Sequence, residues 1–156
     1  ELRRKAIRAL ANWSNSSAAG DLLKLAKDAA SDRDRLLALR GYIRLAGTAG
    51  GIKSGQERTA MLKQADALAK RTDEKRMIVG NLRSGGTPEA LKMLFVYIKD
   101  ESLRREAELS AAELAWNLRR TKSEEVRKLT KELTGSSNKG VANKARSALA
   151  EMNKVK

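Results

Sequence analysis

The chain has 156 residues and contains neither cysteine nor histidine. Without cysteine it can form no disulfide framework and no thiolate zinc site. Without histidine it also lacks the Ser–His–Asp and Cys–His nucleophile systems, histidine-ligated zinc and the usual proton shuttle near neutral pH. We therefore expect no metal, no other cofactor and no enzymatic activity. The lack of cysteine leaves the redox compartment undetermined.

Aromatic residues make up only 3% of the chain, and proline occurs once. A core must therefore be built from leucine, alanine, isoleucine and methionine, a composition that suits closely packed helices better than a β-sandwich or barrel. No apolar run reaches the roughly 18 residues of a membrane-spanning helix, so we expect no membrane span. We interpret residues 1–156 as a single domain, because this length is enough for one substantial core.

Basic residues dominate the charge, with 33 lysines and arginines against 19 acids and a net charge of +14. A field of this size attracts nucleic acid, anionic membranes or acidic protein surfaces. The alternative is an ordinary solvated surface of lysine and arginine. We favour that alternative for most of the basic residues, because they are spread along the whole chain.

The segment 100–116, DESLRREAELSAAELAW, has the pattern of one capped amphipathic helix. Asp100 is a good N-cap, because its carboxylate can accept hydrogen bonds from the free N–H groups of the first turn. The apolar stripe has the helical period and is rich in small residues, which lets a neighbouring helix approach closely. Its members are Leu103, Ala107, Ser110, Ala111, Leu114 and Leu118.

Part of this pattern recurs, and we call it the repeat frame: a first position, then small or apolar residues three and six places later. First positions fall at Arg3, Arg35, Lys75, Arg104 and Ala142, which are about 32, 40, 29 and 38 residues apart by subtraction, and the copy at Lys75 is weaker because its sixth place is Asn81. Such spacings are typical of helix–turn–helix units that stack and bury their faces against their neighbours.

Capping signals divide the chain into nine predicted helices. The predicted caps are Ser31, Ser54, Thr72, Thr87, Asp100, Asn138 and the segment 121–124, and Pro88 takes the first helical position. The helices are predicted over residues 2–13, 18–30, 32–46, 55–70, 73–83, 88–99, 101–120, 124–133 and from 139 onward. We group them as one N-terminal helix followed by four antiparallel pairs. Because the first helix starts at once, without an atypical capping repeat, we expect the chain to be a fragment of a longer protein.

The repeat frame resembles the second helix of the HEAT-repeat family of armadillo-type solenoids. Those helices have an Asp in the preceding turn, then a small hydrophobic residue, an Arg and an Ala, and Asp100, Leu103, Arg104 and Ala107 match all four. Lys75 and Ala142 depart from the arginine. The resemblance covers essentially the whole chain, but the motif is degenerate. It implies an all-α, right-handed α–α superhelix that acts as a protein-binding or scaffold module.

A narrower resemblance is carried by LLALRGYIRLAG (36–47) and EKRMIVGNL (74–82), which look like a bacterial subgroup of HEAT modules. Modules of that subgroup are accessory segments of large, often exported multidomain proteins, some with glycan-degrading or dehydrogenase domains. The narrower resemblance therefore implies a bacterial, extracytoplasmic setting.

A stripe of arginines is the best candidate surface. Places one and five residues after each first position are adjacent on one helix face. The arginines at these places are Arg4, Arg8, Arg40, Arg76 and Arg105, and Arg44 extends the line. In a right-handed solenoid the second helices line the concave side, so stacked copies present a cationic strip there. The alternative is that these are ordinary solvated arginines.

Three other functions are alternatives to a protein-binding role. Nucleic-acid binding through phosphate contacts is the main alternative. The segment 47–54, GTAGGIKS, fails as a phosphate-binding P-loop, because Ile52 replaces a glycine and a helix precedes it where a strand is required. HEAT-like DNA glycosylases combine a basic face with tryptophans and a catalytic Asp. Here Trp13 and Trp116 fall on apolar stripes, so we interpret both as core residues.

Overall fold

The computed structural model describes residues 2–48 and 54–154, apart from the side chain of residue 3. Within these ranges the chain forms nine α-helices and no strand, which confirms the all-α prediction. Two short 3-10 segments, Ser16–Ala18 and Arg83–Gly85, accompany them. The helices are α1 (Leu2–Ala11), α2 (Ala19–Asp28), α3 (Asp32–Gly47), α4 (Gly55–Asp66), α5 (Thr72–Leu82), α6 (Pro88–Ile98), α7 (Arg104–Asn117), α8 (Glu124–Leu133) and α9 (Lys139–Lys154).

The helices form two compact units, Glu1–Asn81 and Leu82–Lys156. In the first unit α3 is central and packs against α1, α2 and α4. In the second unit α7 packs against α6, α8 and α9, while α8 also packs against α6 and α9. The interpretation of the whole chain as one domain stays a prediction.

Close packing in the first unit depends on a glycine. A Cβ atom added to Gly41 of α3 would lie 2.7 Å from both Cα and Cβ of Ala11, the last residue of α1. Gly41 therefore lets the two helices approach more closely than any side chain would permit. In the second unit the six stripe residues predicted for α7 are all buried, which confirms the helical period read from that segment.

Most of the predicted helix caps are confirmed. Side-chain oxygens of Ser31, Ser54 and Thr87 accept from backbone N–H groups three residues later, at 3.4, 3.1 and 3.1 Å. Ser123 caps α8 in the same way at 3.3 Å. Asn138 accepts at 3.0 and 3.3 Å from the first turn of α9. Local sequence decides these ends, because the acceptor and the donors are only two or three residues apart.

The predicted start of α7 is wrong. The helix begins at Arg104, not at Glu101, and its N-cap residue is Leu103, which makes no capping bond through its side chain. Asp100 instead accepts from the N–H and the hydroxyl of Ser102, at 3.0 and 2.7 Å. This bond stabilises a turn that competes with the helix, since a short acidic side chain can bond its own neighbours in a non-helical geometry.

Thr72 does not cap α5, because the helix already includes it. The carboxylate of Glu74 accepts from the N–H groups of Lys70 and Arg71, at 2.7 and 3.1 Å. The first turn of α5 is thus closed by a residue inside the helix. Several predicted ends are also too long: α1, α2, α4 and α7 stop two to four residues early, at Ala11, Asp28, Asp66 and Asn117.

The prediction that both tryptophans lie in the core is wrong for Trp13. Its side chain follows the end of α1 and is 49% exposed. Trp116 in α7 is half-buried, and the Arg119 guanidinium carbon lies 4.2 Å from its ring centroid. Helical period alone placed both residues on apolar stripes, but a stripe is buried only where another element covers it.

Candidate protein-interaction surface

The helices that carry the repeat frame, α1, α3, α5, α7 and α9, are called second helices below. None of the ten residues that lie one or five places after a first position is buried. In contrast, the places three and six residues after the first position are buried in α3, α7 and α9. The ten residues are Arg4, Arg8, Leu36, Arg40, Arg76, Gly80, Arg105, Leu109, Asn143 and Ser147.

Within the first unit, carboxylates lie between the arginines of this face. Nε of Arg4 in α1 is 3.8 Å from Oδ1 of Asp34 in α3. Nη2 of Arg40 in α3 is 4.0 Å from Oδ2 of Asp73 in α5, and Nη1 of Arg76 is 3.5 Å from Oδ1 of the same Asp73. The face is therefore a ladder of alternating charge across three helices, and not a bare cationic strip.

Arg8 and Arg44 of the stripe have different surroundings from the three arginines of the ladder. Arg8 is exposed, and none of the described carboxylates pairs with it. Arg44 is held against α1, because its Nε and Nη2 donate to the carbonyl of Ala11 at 3.0 and 2.8 Å, and Nη2 also donates to that of Trp13 at 2.5 Å. These bonds satisfy carbonyl groups at the C-terminal end of α1, so Arg44 has an evident structural role.

Arg105 belongs to the second unit. It is exposed and lines a shallow cavity with Glu101, Glu108 and Asn138. One turn further along α7, Leu109 is 45% exposed. Within its own unit Arg105 thus borders both charged and apolar surface, a mixture that suits contact with a protein.

The repeat frame does not predict the carboxylates of the ladder. The ion pair of Asp73 with Arg76 could have been predicted, because Asp73 stands three residues before Arg76 on the same helix. The pair of Asp34 with Arg4 could not, because the two residues meet only through the packing of α1 on α3.

A second ionic cluster lies at the start of α3, where the side chains of Arg35 and Glu74 are buried and those of Asp32 and Arg71 are more than half exposed. Arg35, the first position of its repeat frame, donates to Oδ1 of Asp32 and to Oε1 of Glu74, both at 3.0 Å, and to the carbonyl of Leu68 at 3.3 Å. Arg71 donates to Oδ2 of Asp32 at 2.6 Å. Burial lowers the pKa of Arg35, but the bonds and charges of Asp32 and Glu74 outweigh it and raise that pKa. This cluster joins α3 to α5 and leaves little of Arg35 for a ligand.

The ionic cluster makes stability depend on pH in the acid range. The hydrogen bond from Arg35, with the charge of Arg71, holds the pKa of Asp32 below its ordinary value of 3.8. A carboxylate with a lowered pKa stabilises the fold above its unfolded pKa, and the contribution is lost as pH falls through the folded pKa. We expect an Asp32→Asn variant to be less stable than the wild type at pH 7 and equally stable well below pH ~3. Urea unfolding at both pH values measures this, and a difference that persists at low pH would contradict it.

Among the described residues no group of three or more acidic, histidine or cysteine side chains can hold a metal ion. No helix in the same ranges is long and apolar enough to cross a membrane. Comparison of the chain with protein-family models, with curated proteins and with solved structures finds no match. The resemblance of the repeat frame to HEAT repeats therefore stays a prediction. Most of the segment 47–54, which the sequence excludes as a P-loop, lies outside the described residues, at 49–53.

Proposed function

We propose that this chain is a non-catalytic, HEAT-like helical-repeat module that binds an acidic protein surface. The partner is another protein or another domain of the same polypeptide. The contact surface is the exposed arginine face of the second helices, here called the arginine face. The resemblance of the repeat frame to HEAT repeats implies a right-handed superhelix with the arginine face on its concave side.

The observation that carries the proposal is the exposure of the arginine face together with its ion-pair ladder. The Arg40–Asp73 and Arg76–Asp73 pairs are exposed on both sides and add little to stability, and in the Arg4–Asp34 pair the arginine is exposed. The effect of the ladder is to orient Arg4, Arg40 and Arg76, whose side chains stay 42–46% exposed. Arginines ordered in this way lose less conformational entropy when they meet a partner carboxylate.

The packing of the helices supports the repeat architecture. In the first unit α1 packs on α3, and in the second unit α7 packs on α9, so second helices are neighbours although other helices intervene in sequence. Helices that alternate with the second helices also meet each other, as α6 does with α8. Contacts between nearest and next-nearest helices are typical of α-solenoids.

An acidic protein suits the ladder better than a nucleic acid does. A duplex presents a continuous row of phosphates, and Asp34 and Asp73 would repel part of that row. A protein surface can place carboxylates against the arginines and donors against Asp73. Steep dependence of duplex binding on salt remains the result that would favour nucleic acid.

Charge reversal on the arginine face tests the proposal. We expect the Arg4→Glu, Arg40→Glu, Arg105→Glu variant to bind a fluorescein-labelled, aspartate- and glutamate-rich peptide at least about tenfold more weakly than the wild type, because close charge pairs at interfaces commonly contribute more than 1 kcal/mol. Fluorescence anisotropy measures the affinity, and circular dichroism checks that the variant is folded.

The matched control reverses three exposed lysines away from the arginine face, in Lys24→Glu, Lys27→Glu, Lys128→Glu. It changes the net charge by the same amount and should reduce the affinity much less. Equal losses in both variants would show that only net charge matters and would overturn the proposal. A 20-base-pair duplex is titrated in parallel across salt concentrations.

A further inference from the structure

One groove of the second unit combines apolar side chains with carboxylates. It encloses a cavity of about 260 Å³ at the C-terminal ends of α6 and α8. Its apolar lining is Ile98, Leu133 and Phe95, which is the only phenylalanine of the chain. Phe95 and Ile98 are half-buried, so part of this lining faces solvent. Glu108 and Glu132 line the same groove, which we call the carboxylate groove.

The two carboxylates of this groove have no cation of their own. Oε2 of Glu108 accepts from the Ser136 hydroxyl at 2.7 Å, a bond that holds the carboxylate in place without neutralising it. Glu132 is exposed. Among the residues that the structure describes, no lysine or arginine forms an ion pair with either glutamate, and this includes Lys99 of the same groove. A chain with 33 basic residues thus keeps two uncompensated carboxylates beside an apolar surface.

The place favours guanidinium groups. Nε of Arg104 donates to the carbonyl of Ile98 at 3.0 Å, at the end of α6, and Nη2 of Arg146 donates to that of Thr134 at 3.4 Å, just after α8. Carbonyl groups at a helix end form the negative end of the helix dipole and attract cations. A guanidinium is planar and weakly hydrated, so it can lie on an aromatic ring such as that of Phe95 while it binds carboxylates. The carboxylate groove therefore suits an arginine side chain.

The charge reverses next to the carboxylate groove. Glu108 also lines the shallow cavity that contains Arg104 and Arg105, so the two depressions adjoin. Within the described ranges neither the Nη groups of Arg104 nor the guanidinium of Arg105 bonds to another residue. These groups are open to a carboxylate, which guanidinium groups bind through two parallel hydrogen bonds. An occupant of both depressions meets glutamates at one end and arginines at the other.

We propose that the carboxylate groove and the shallow cavity together bind a short segment of a partner protein that contains an arginine close to an acidic residue. The partner arginine lies on the apolar lining and pairs with Glu108 and Glu132. The partner acid pairs with Arg104 and Arg105. This deepens the proposed protein-interaction function and rests on it, because it adds one basic residue to the acidic partner surface. The opposite charges at the two ends set the direction of the segment, since reversal brings like charges together.

The test uses three short peptides in one glycine–serine background. The first has an arginine and an aspartate two residues apart, the second has uncharged citrulline in place of the arginine, and the third has asparagine in place of the aspartate. Methyl NMR follows each titration, and the Ile98 signal, assigned with an Ile98→Val variant, reports directly on the groove. We expect the first peptide to shift this signal in a saturable manner and to bind at least about fivefold more tightly than either of the others.

Neutral variants test the two glutamates. In Glu108→Gln, Glu132→Gln the glutamine at 108 can still accept from Ser136, so the fold is kept while both charges are removed. This variant should bind the first peptide only as weakly as the wild type binds the citrulline peptide. The matched control is Glu124→Gln, Glu125→Gln, at the opposite end of α8, and it should leave affinity unchanged.

Three results would overturn the proposal. They are equal binding of the arginine and citrulline peptides, equal weakening by the two double variants, and a first peptide that leaves the Ile98 signal unmoved. Sedimentation that shows a wild-type dimer, dissociated by Glu108→Gln, Glu132→Gln, would assign the groove to a second copy and would also overturn it.

The acidic peptide used for the arginine face separates this proposal from the previous one. The Glu108→Gln, Glu132→Gln variant keeps every arginine of that face, so it should bind the acidic peptide at least as tightly as the wild type does. Failure of the acidic peptide, with binding of the arginine–aspartate peptide as expected, would overturn the arginine face and leave the carboxylate groove. The reverse outcome would overturn the groove alone.

Discussion

Replacing Glu74 by alanine is expected to lower the free energy of unfolding by about 3–5 kcal/mol, the usual cost of breaking a buried ion pair. The Glu74 side chain is completely buried. It accepts from the Arg35 guanidinium and from the N–H groups of Lys70 and Arg71, so its loss removes the buried one of the two carboxylates that pair with Arg35 and leaves two backbone donors without an acceptor. Urea unfolding followed by circular dichroism measures the change.

The neighbouring acid provides a matched control. Asp73 is adjacent in sequence and also pairs with arginines, Arg40 and Arg76, but its side chain is 71% exposed. Because exposed ion pairs contribute only about 0–1 kcal/mol, Asp73→Ala should change stability by less than that. Similar losses in the two variants would contradict the distinction between a buried and an exposed pair.

A double-variant cycle isolates the pair itself. Arg35→Met should also be strongly destabilising, because it leaves the Glu74 carboxylate buried without its cation. Combining Arg35→Met with Glu74→Leu removes both charges and should cost clearly less than the sum of the single changes. Additive losses would show that the two side chains act independently.

Alanine at Gly41 is expected to destabilise the first unit by about 1–3 kcal/mol, the range for overpacking a tight core. The added Cβ would lie 2.7 Å from the backbone of Ala11, so α1 and α3 must move apart. For a unit as long as Glu1–Asn81, each kcal/mol lowers the melting temperature by about 4–8 °C, which thermal unfolding resolves.

The same substitution at Gly80 should have the opposite sign. Gly80 lies inside α5, is exposed, and would place its Cβ in open space. Alanine there should stabilise by about 0.5–1 kcal/mol, because glycine is a poor helix former. A loss at Gly80 or tolerance at Gly41 would contradict the packing described for these helices.

Much of the helical structure could be predicted from neighbouring residues. The caps at Ser31, Ser54 and Thr87 and the buried stripe of α7 involve partners three or four residues away, and that spacing is visible in the sequence. Asp100 shows the limit of such reasoning. The same carboxylate can cap a helix or close a turn, and the sequence around it is compatible with both. In the structure it accepts from Ser102 and closes a turn.

The candidate surface was only partly predictable. The repeat frame indicated which side of each second helix faces outward, and the exposure of Arg4, Arg40 and Arg105 agrees with it. It did not predict that Asp34 and Asp73 lie between the arginines, or that Arg44 bonds to the end of α1. These contacts join residues about 30 positions apart, by subtraction, and depend on how the helices pack.

The sequence by itself determined the helical class and the positions of most helix caps. It also determined that no cysteine or histidine chemistry is possible, because the chain has neither residue. Each of these follows from composition or from residues within one turn of each other. Only the tertiary structure decided which apolar stripes are covered, which arginines are paired and which carboxylate is buried. Trp13 and Glu74 illustrate the reason: the first has the pattern of a core residue and is exposed, and the second has the pattern of a surface acid and is buried. Burial is a property of the element packed on top, and periodicity within one helix contains no information about its neighbour.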